Sequence, residues 1–448
     1  MRKFFRVLST ICFLSIFALC TMSAALAQAG DIARIKLVDN NHIPQKVVVV
    51  MTSGTNQFCR DLFATIKLIN ETGSLPAEET VKMHVIKGSS SLDVVKTLGI
   101  STEDAKKYLE INEKFSSYDI WAQDCMELCS AIDVNGSVFP AVFDSNRGRG
   151  LGALPKVLSE MWQLKYFKNP SGSQAHGDYG GNLEVVPNED IMVAGDTITA
   201  SCKAYFEKMG YAGRLFTPDT KWLNVGHIDE YLNYIPTLNA PNGYSIVKAD
   251  PAYALDLVEY ASDEDFAKLE SSDRSFLLKV RAALKAQRSD PSAAKGTSEG
   301  DFIELNLKIA EIIEKNVGEL KSFITTVNNK ENSRFGEVAW PCLYQGYNPA
   351  NPSSCHAFLP GVVNLTVLRD HLLVPATYFP PFDKIVESRF RAQGNKVHFI
   401  DDSPYHSAMG EIHCGTNVIR SLDKLVFTKS QISRVNEVKN VFEKVHKE

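Results

Sequence analysis

The sequence lacks a charge excess: 48 lysines and arginines stand against 53 aspartates and glutamates, a net charge of −5 over 448 residues. No basic stripe forms, which argues against a nucleic-acid partner. Beyond the N-terminal two dozen residues there is no apolar run long enough to cross a bilayer, and no internal repeat is evident. Cysteine is sparse and badly spaced for metal binding. Cys125 and Cys129 form a Cys-x3-Cys pair with no second pair nearby, which makes a poor zinc site.

The N-terminus does carry a pattern. Arg2, Lys3 and Arg6 precede an apolar run from Val7 to about Met22, and small residues end in Ala25-Leu26-Ala27. This is the layout of an export signal, with cleavage expected after Ala27 and a secreted or periplasmic destination for a chain that does not span the membrane. Loss of Cys12 and Cys20 with that segment leaves seven cysteines. Seven is odd, and a thiol left free in an oxidising compartment asks for a reason such as catalysis. The Pro-, Asn-, Gly- and Ser-rich stretch between Cys342 and Cys355 suggests that these two form a disulfide, with Cys414 remaining reduced.

Periodicity predicts strands over 46–51 and 81–86 and helices over 58–70, 93–98 and 102–115, an alternation that indicates an α/β domain. Residues 171–182 read as a glycine-rich loop that a ligand can approach closely. Over 263–285 and 301–328 apolar residues recur at helical spacing, as at Ile303, Leu307, Ala310, Ile313 and Val317, and predict a helical insertion.

Three segments carry chemistry. Met409-Gly410-Glu411-Ile412-His413-Cys414-Gly415-Thr416-Asn417 places a cysteine among small residues, Trp121-Ala122-Gln123-Asp124-Cys125-Met126-Glu127 offers a carboxylate, and Asn224-Val225-Gly226-His227-Ile228-Asp229-Glu230 offers an acid/base group and a second carboxylate. A thiol nucleophile, a histidine and two acids suit a planar cation such as a guanidinium. If the third segment is extended, His227 and Asp229 share a face. On the same alternation His413, beside Cys414, reads as structural.

In this order the three segments resemble the catalytic segments of protein-arginine deiminases. Phe143-Asp144-Ser145, Arg147 and Arg149, Gly181-Asn182-Leu183-Glu184-Val185 and Pro360-Gly361-Val362-Val363-Asn364 add to the match. The resemblance implies the pentein fold, a five-bladed α/β-propeller, over residues 107–448, preceded by an α/β segment over 28–106. It implies hydrolysis of peptidyl arginine to citrulline, with arginine-containing proteins or peptides as partners. Cys414 would be the nucleophile, His227 the acid/base, and Asp124 and Asp229 the guanidinium acceptors. Trp121 would wall the arginine stem, and Arg149 and Arg147 would hold substrate carbonyls.

The resemblance further implies calcium, held by Gln123, Glu127 and Glu184 with the carbonyls of Gly180 and Leu183. A second calcium site of the family keeps Asp144 and Ser145, but Cys125 and Gly148 replace two oxygen ligands. The same scaffold also admits deimination of free arginine, agmatine or another small guanidine, amidine transfer, and a noncatalytic calcium-dependent binding protein. A papain-like protease has no use for the two aspartates.

Overall fold

The computed structural model describes residues 32–72, 79–172, 174–329 and 335–436. The expected export signal lies outside them. Among the described residues one unit recurs five times: an antiparallel strand pair, a helical crossover, and a third strand parallel to the second. Met126–Asp133 pairs with Val138–Asp144, and helix Leu154–Trp162 leads to Lys165–Lys168. Leu183–Val186 pairs with Ile191–Ala194, then helix Ala200–Phe206 leads to Leu215–Phe216. Leu232–Pro236 and Tyr244–Asp250 are followed by Gly336–Pro341, and Thr366–Leu368 and His371–Pro375 by Lys396–Ile400. The fifth unit joins both ends of the chain, because Thr416–Leu425 pairs with His42–Met51, which crosses through helix Asn56–Thr72 to Lys82–Lys87.

That fifth sheet spans the boundary expected near residue 106. Its core strand is a run of fully buried valines, Val47 to Val50, covered on opposite faces by different elements, as a strand buried on both sides requires. The helix predicted over 102–115 is corrected: it stops at Tyr108, and Leu109–Ser116 is a strand parallel to Lys82–Lys87. Helix-forming Glu and Lys are overridden there by backbone pairing on a sheet edge, a contact that local periodicity does not contain.

The helical insertion is the crossover of the third unit. Helices Pro251–Tyr260, Ser271–Gln287 and Ser298–Val327 fill the connection between two neighbouring parallel strands. In the longest, Leu305, Ile309, Ile313, Val317, Leu320 and Ile324 pack on the sheet, while Leu307, expected in the stripe, is 47% exposed. No described helix is long and apolar enough to cross a membrane.

The expected Cys342–Cys355 bridge is also corrected, since both thiols are free and buried. The intervening chain forms a hairpin, Tyr344–Tyr347 with Ser353–Ala357, whose register sets Tyr344 opposite Ala357 and Tyr347 opposite Ser353. Cys355 therefore faces Gly346, and an added methyl on that glycine would lie 2.5 Å from its sulfur. Cys342 lies in the two-residue link between Gly336–Pro341 and the hairpin, four positions before Gly346 in the chain. Nonreducing peptide mapping is expected to recover Cys342 and Cys355 as separate thiols; a linked peptide would contradict this register. Trp340, fully buried against Phe390, carries much of the third unit's packing, and Trp340→Ala is expected to cost about 3–5 kcal/mol in denaturant unfolding.

Candidate active site

Each unit delivers a polar residue to one place. Asp124 precedes the first strand of the first unit by two residues, Asn182 that of the second by one, Asn364 that of the fourth by two, and Cys414 that of the fifth by two; His227 and Asp229 lie just ahead of Leu232 in the third. These starts touch one another. Asn182 Oδ1 accepts from Ile228 N at 3.1 Å, and the Asn364 side chain accepts from Cys414 N at 3.2 Å while its amide lies 3.3 Å from the sulfur and donates to the Asp229 carbonyl at 3.3 Å. Gly181 permits the closest approach: a methyl there would stand 2.7 Å from His227 Nδ1 and 3.0 Å from Asp229 Oδ2.

The expected extended conformations are corrected in detail. Gln123–Cys125 and Ile228–Glu230 are short 3-10 turns, and Ile412–Gly415 is a single helical turn. His227 and Asp229 face the same glycine because the turn swings them there, with the Glu230 carboxylate accepting from His227 N at 3.1 Å.

The resulting cavity, about 200 Å³, is lined by Trp121, Asp124, Arg149, His176, His227 and Cys414 among others. His227 Nε2 lies 2.9 Å from the His176 carbonyl, a contact that an N–H makes favourable; Nδ1 is then left facing Asp124 Oδ1 at 3.7 Å. Cys414 Sγ lies 3.5 Å from Asp229 Oδ2. Trp121 closes one wall over Gly410, where an added methyl would sit 2.5 Å from its ring.

The two aspartates share a feature. Asp124 Oδ2 accepts from Arg147 at 2.6 Å, and Asp229 Oδ2 from His413 Nδ1 at 2.8 Å; in each, Oδ1 is buried and has no partner among the described residues. Arg147, expected to hold substrate carbonyls, does line the cavity, but its guanidinium is engaged by two carboxylates. Only 2% exposed, it gives Nε and Nη2 to Asp119 at 3.0 and 3.2 Å and its plane lies over Tyr179. Arg149 is exposed at the rim, on a loop where it and Asn146 adopt positive φ.

Burial pushes the Asp124 carboxyl above its ordinary range against the pull of His227 and Arg147. The Cys414 thiol is pushed well up by burial and by the charges of Asp229 and Asp124. Its thiolate fraction at neutral pH is thus below that of free cysteine, and alkylation of the substrate-free protein is expected to be slow near pH 7 and to rise only above the ordinary thiol range. Asp229→Asn removes one raising charge and should speed the reaction at fixed pH. Iodoacetamide rates followed by mass spectrometry check both, and a profile with a midpoint below that of free cysteine would contradict the assignment.

Behind the cavity lies a polar pocket of about 40 Å³ lined by Gln123, Glu127, Leu183, Glu184, His413, Asn417 and Arg420. Gln123 donates to Glu127 at 2.7 Å, and Gly180 fits directly against that carboxylate. Burial and the charges of Glu184 and Asp229 hold Glu127 well above the carboxylate range, and burial pushes Glu184 to about 7. Arg420 pulls both carboxyls down, though its donors go to Asn40, His42 O and Val367 O. Among the described residues no three His, Cys, Asp or Glu side chains converge as a metal-binding group, so a cation here would rest on two carboxylates, one amide and carbonyls. Asp144, of the second expected site, has both oxygens taken by Tyr166 Oη and Asn146 N, and the Gln174 side chain fills the space beside Gly148. The donor set for a second cation is spent.

Sequence reasoning passed over His176, Asn224, Met409 and the role of His413. His176 lies in the glycine-rich loop already marked for close approach, and Asn364 in a motif that the resemblance contained.

The fold is that of the pentein deiminases. A putative arginine deiminase from Porphyromonas gingivalis superimposes with a TM-score of 0.51 at 12% identity, covering 87% of this chain and 99% of that one. A family model, protein-arginine deiminase, matches residues 206–425. Protein-arginine deiminase type-1 of Mus musculus is 28% identical over 328 residues, 67% of this chain and 46% of that protein, and type-4 of Homo sapiens is 25% identical over 418 residues, 86% and 58%. The chain spans about half the length of these curated relatives. The chain is thus similar to the protein-arginine deiminases, with the family model matching its C-terminal part.

Proposed function

We propose that this protein hydrolyses peptidyl arginine to peptidyl citrulline and ammonia, on a scaffold whose five units close into a five-bladed α/β-propeller around the site. The carrying observation is the pair of orphaned oxygens. Among the described residues neither Asp124 Oδ1, in the pocket that holds Cys414, nor Asp229 Oδ1, on the buried carboxylate 3.5 Å from the Cys414 sulfur, has a partner. An unpaired buried carboxylate oxygen is costly, and a planar guanidinium supplies N–H donors and positive charge together.

With the side chain seated, the Cys414 thiol gives its proton to His227 Nδ1 as the sulfur attacks the guanidinium carbon. His227 Nδ1, its partner nitrogen anchored on the His176 carbonyl, delivers the proton with which the C–N bond breaks and ammonia leaves. A covalent S-alkylthiouronium remains. Water, giving its proton to His227, then attacks that carbon, the C–S bond breaks, and citrulline and the thiol are released. The cation charge also offsets Asp124 and Asp229, which lowers the thiol pKa when substrate is present.

Arg149 favours a peptide over a free amino acid. Its exposed guanidinium at the rim suits backbone carbonyls of an extended peptide. Free arginine, agmatine and other small guanidines are the alternative substrates.

Calcium fits the second pocket: Gln123, Glu127 and Glu184, with Gly180 and Leu183 carbonyls, form an oxygen-rich set whose carboxylates stay above their ordinary range despite the pull of Arg420 and, on Glu184, of His413. When bound, the ion would supply positive charge and brace the turn carrying Asp124. Export by the N-terminal segment would place the enzyme where calcium is plentiful.

Incubation with an arginine peptide is expected to replace one imino group by oxygen, without chain cleavage, and Cys414→Ala is expected to abolish this while the protein stays folded. Turnover of free arginine or agmatine but no peptide would decide for the alternative. Calcium is expected to raise the unfolding temperature, and Glu127→Gln with Glu184→Gln should remove that shift; an unchanged shift would displace the ion from this pocket.

A further inference from the structure

The geometry points to His413 as a positioning residue for the reaction: it holds Asp229 Oδ2 so that Oδ1 is presented to the guanidinium. The inference rests on the reading of the pocket given above.

His413 Nδ1 lies 2.8 Å from Asp229 Oδ2, and the ring is fixed from two further directions. Its backbone N donates to the Asn364 carbonyl at 3.2 Å, and Nε2 faces Glu184 of the polar pocket at 3.8 Å. The histidine therefore stands between the two pockets, with one nitrogen turned to each. Asp229 is fully buried, and apart from the weak sulfur contact at 3.5 Å no other side chain bonds its carboxylate. Rotation about its terminal torsion is restrained by this one strong bond. Such a torsion is broad and roughly two-fold, so without the imidazole the carboxylate plane is poorly defined.

The arrangement mirrors that at Asp124, where Arg147 holds Oδ2 and Oδ1 is left without a partner. Two independent residues, from different units, thus impose the same state on the two carboxylates. A guanidinium that must lie flat against the sulfur needs both acceptors in fixed planes, because a small misplacement costs the reaction heavily. His413 does not touch the reacting atoms in this scheme; it acts through Asp229.

The test uses the full chain carrying Cys414→Ser, which cannot turn over, titrated calorimetrically with a blocked arginine amide. Failure of this parent to bind would overturn the functional reading itself. If the parent binds, His413→Phe is expected to weaken affinity by about tenfold, the loss of one oriented charge-assisted acceptor. His413→Asn, whose amide nitrogen falls near the Nδ1 position, should recover most of that affinity. His413→Gln places its amide nearer the Nε2 position and should not. Binding within twofold of the parent for both Phe and Gln variants would overturn the positioning role. Should the Phe variant fail to fold, Asn and Gln variants of equal affinity would overturn it just as well.

Discussion

Two carboxylates buried a few ångströms from one histidine set the terms for this site. Asp229 raises the cost of ionising Asp124, and both raise that of the thiol beside them. Burying a charge is tolerable only where it is paired and hydrogen-bonded. Each aspartate receives one strong donor, Arg147 or His413, and keeps one oxygen without a partner. Half-satisfaction is what the site maintains. A third carboxylate, Asp119, takes two donors of Arg147, so the guanidinium that steadies Asp124 is itself fixed in the cavity wall.

The fold makes such a cluster possible by repetition. The residue ahead of the first strand of a unit falls at a comparable place each time, and five units present five short segments to one another. None of those segments is regular over any length, as the 3-10 turns at Gln123–Cys125 and Ile228–Glu230 show. Irregular backbone buried in this way must find hydrogen bonds, and side-chain amides provide them. Asn182 accepts from Ile228 N and Gly195 N, and Asn364 accepts from Cys414 N. The asparagines at the starts of the second and fourth units thereby carry structural duties that the charged residues of the other three cannot take without being drawn away from the cavity.

The chemistry-bearing residues were legible in the sequence because their neighbourhoods are restrictive: Gly181 and Gly410 sit where a methyl would strike His227 or Trp121. The α/β alternation and the helical insertion followed from periodicity. The fivefold unit did not, since it resides in strand pairing and each unit buries a different set of side chains. Local conformation at the site was read as extended and is turned, because alternation in sequence does not distinguish a strand from a tight turn that points the same residues inward. Arg147 read as a ligand to substrate for want of any sign that Asp119 and Asp124 would claim it. His413 read as structural on a strand argument; on a helical turn its side chain reaches Asp229 instead.

Charge also accounts for how a site of this kind would take its substrate and let its product go. With the thiol protonated, the cavity presents unsatisfied negative charge, so a neutral ligand of similar shape gains little there and a planar cation gains both hydrogen bonds and neutralisation. In the proposed reaction that cation converts to a neutral ureido group. One face of the product then offers an oxygen where a donor stood, against a carboxylate that Arg147 or His413 holds in place. The pairing that drew the substrate in is lost with the departing ammonia, and the rigidity of the two carboxylates, which favours binding before the chemistry, favours release after it.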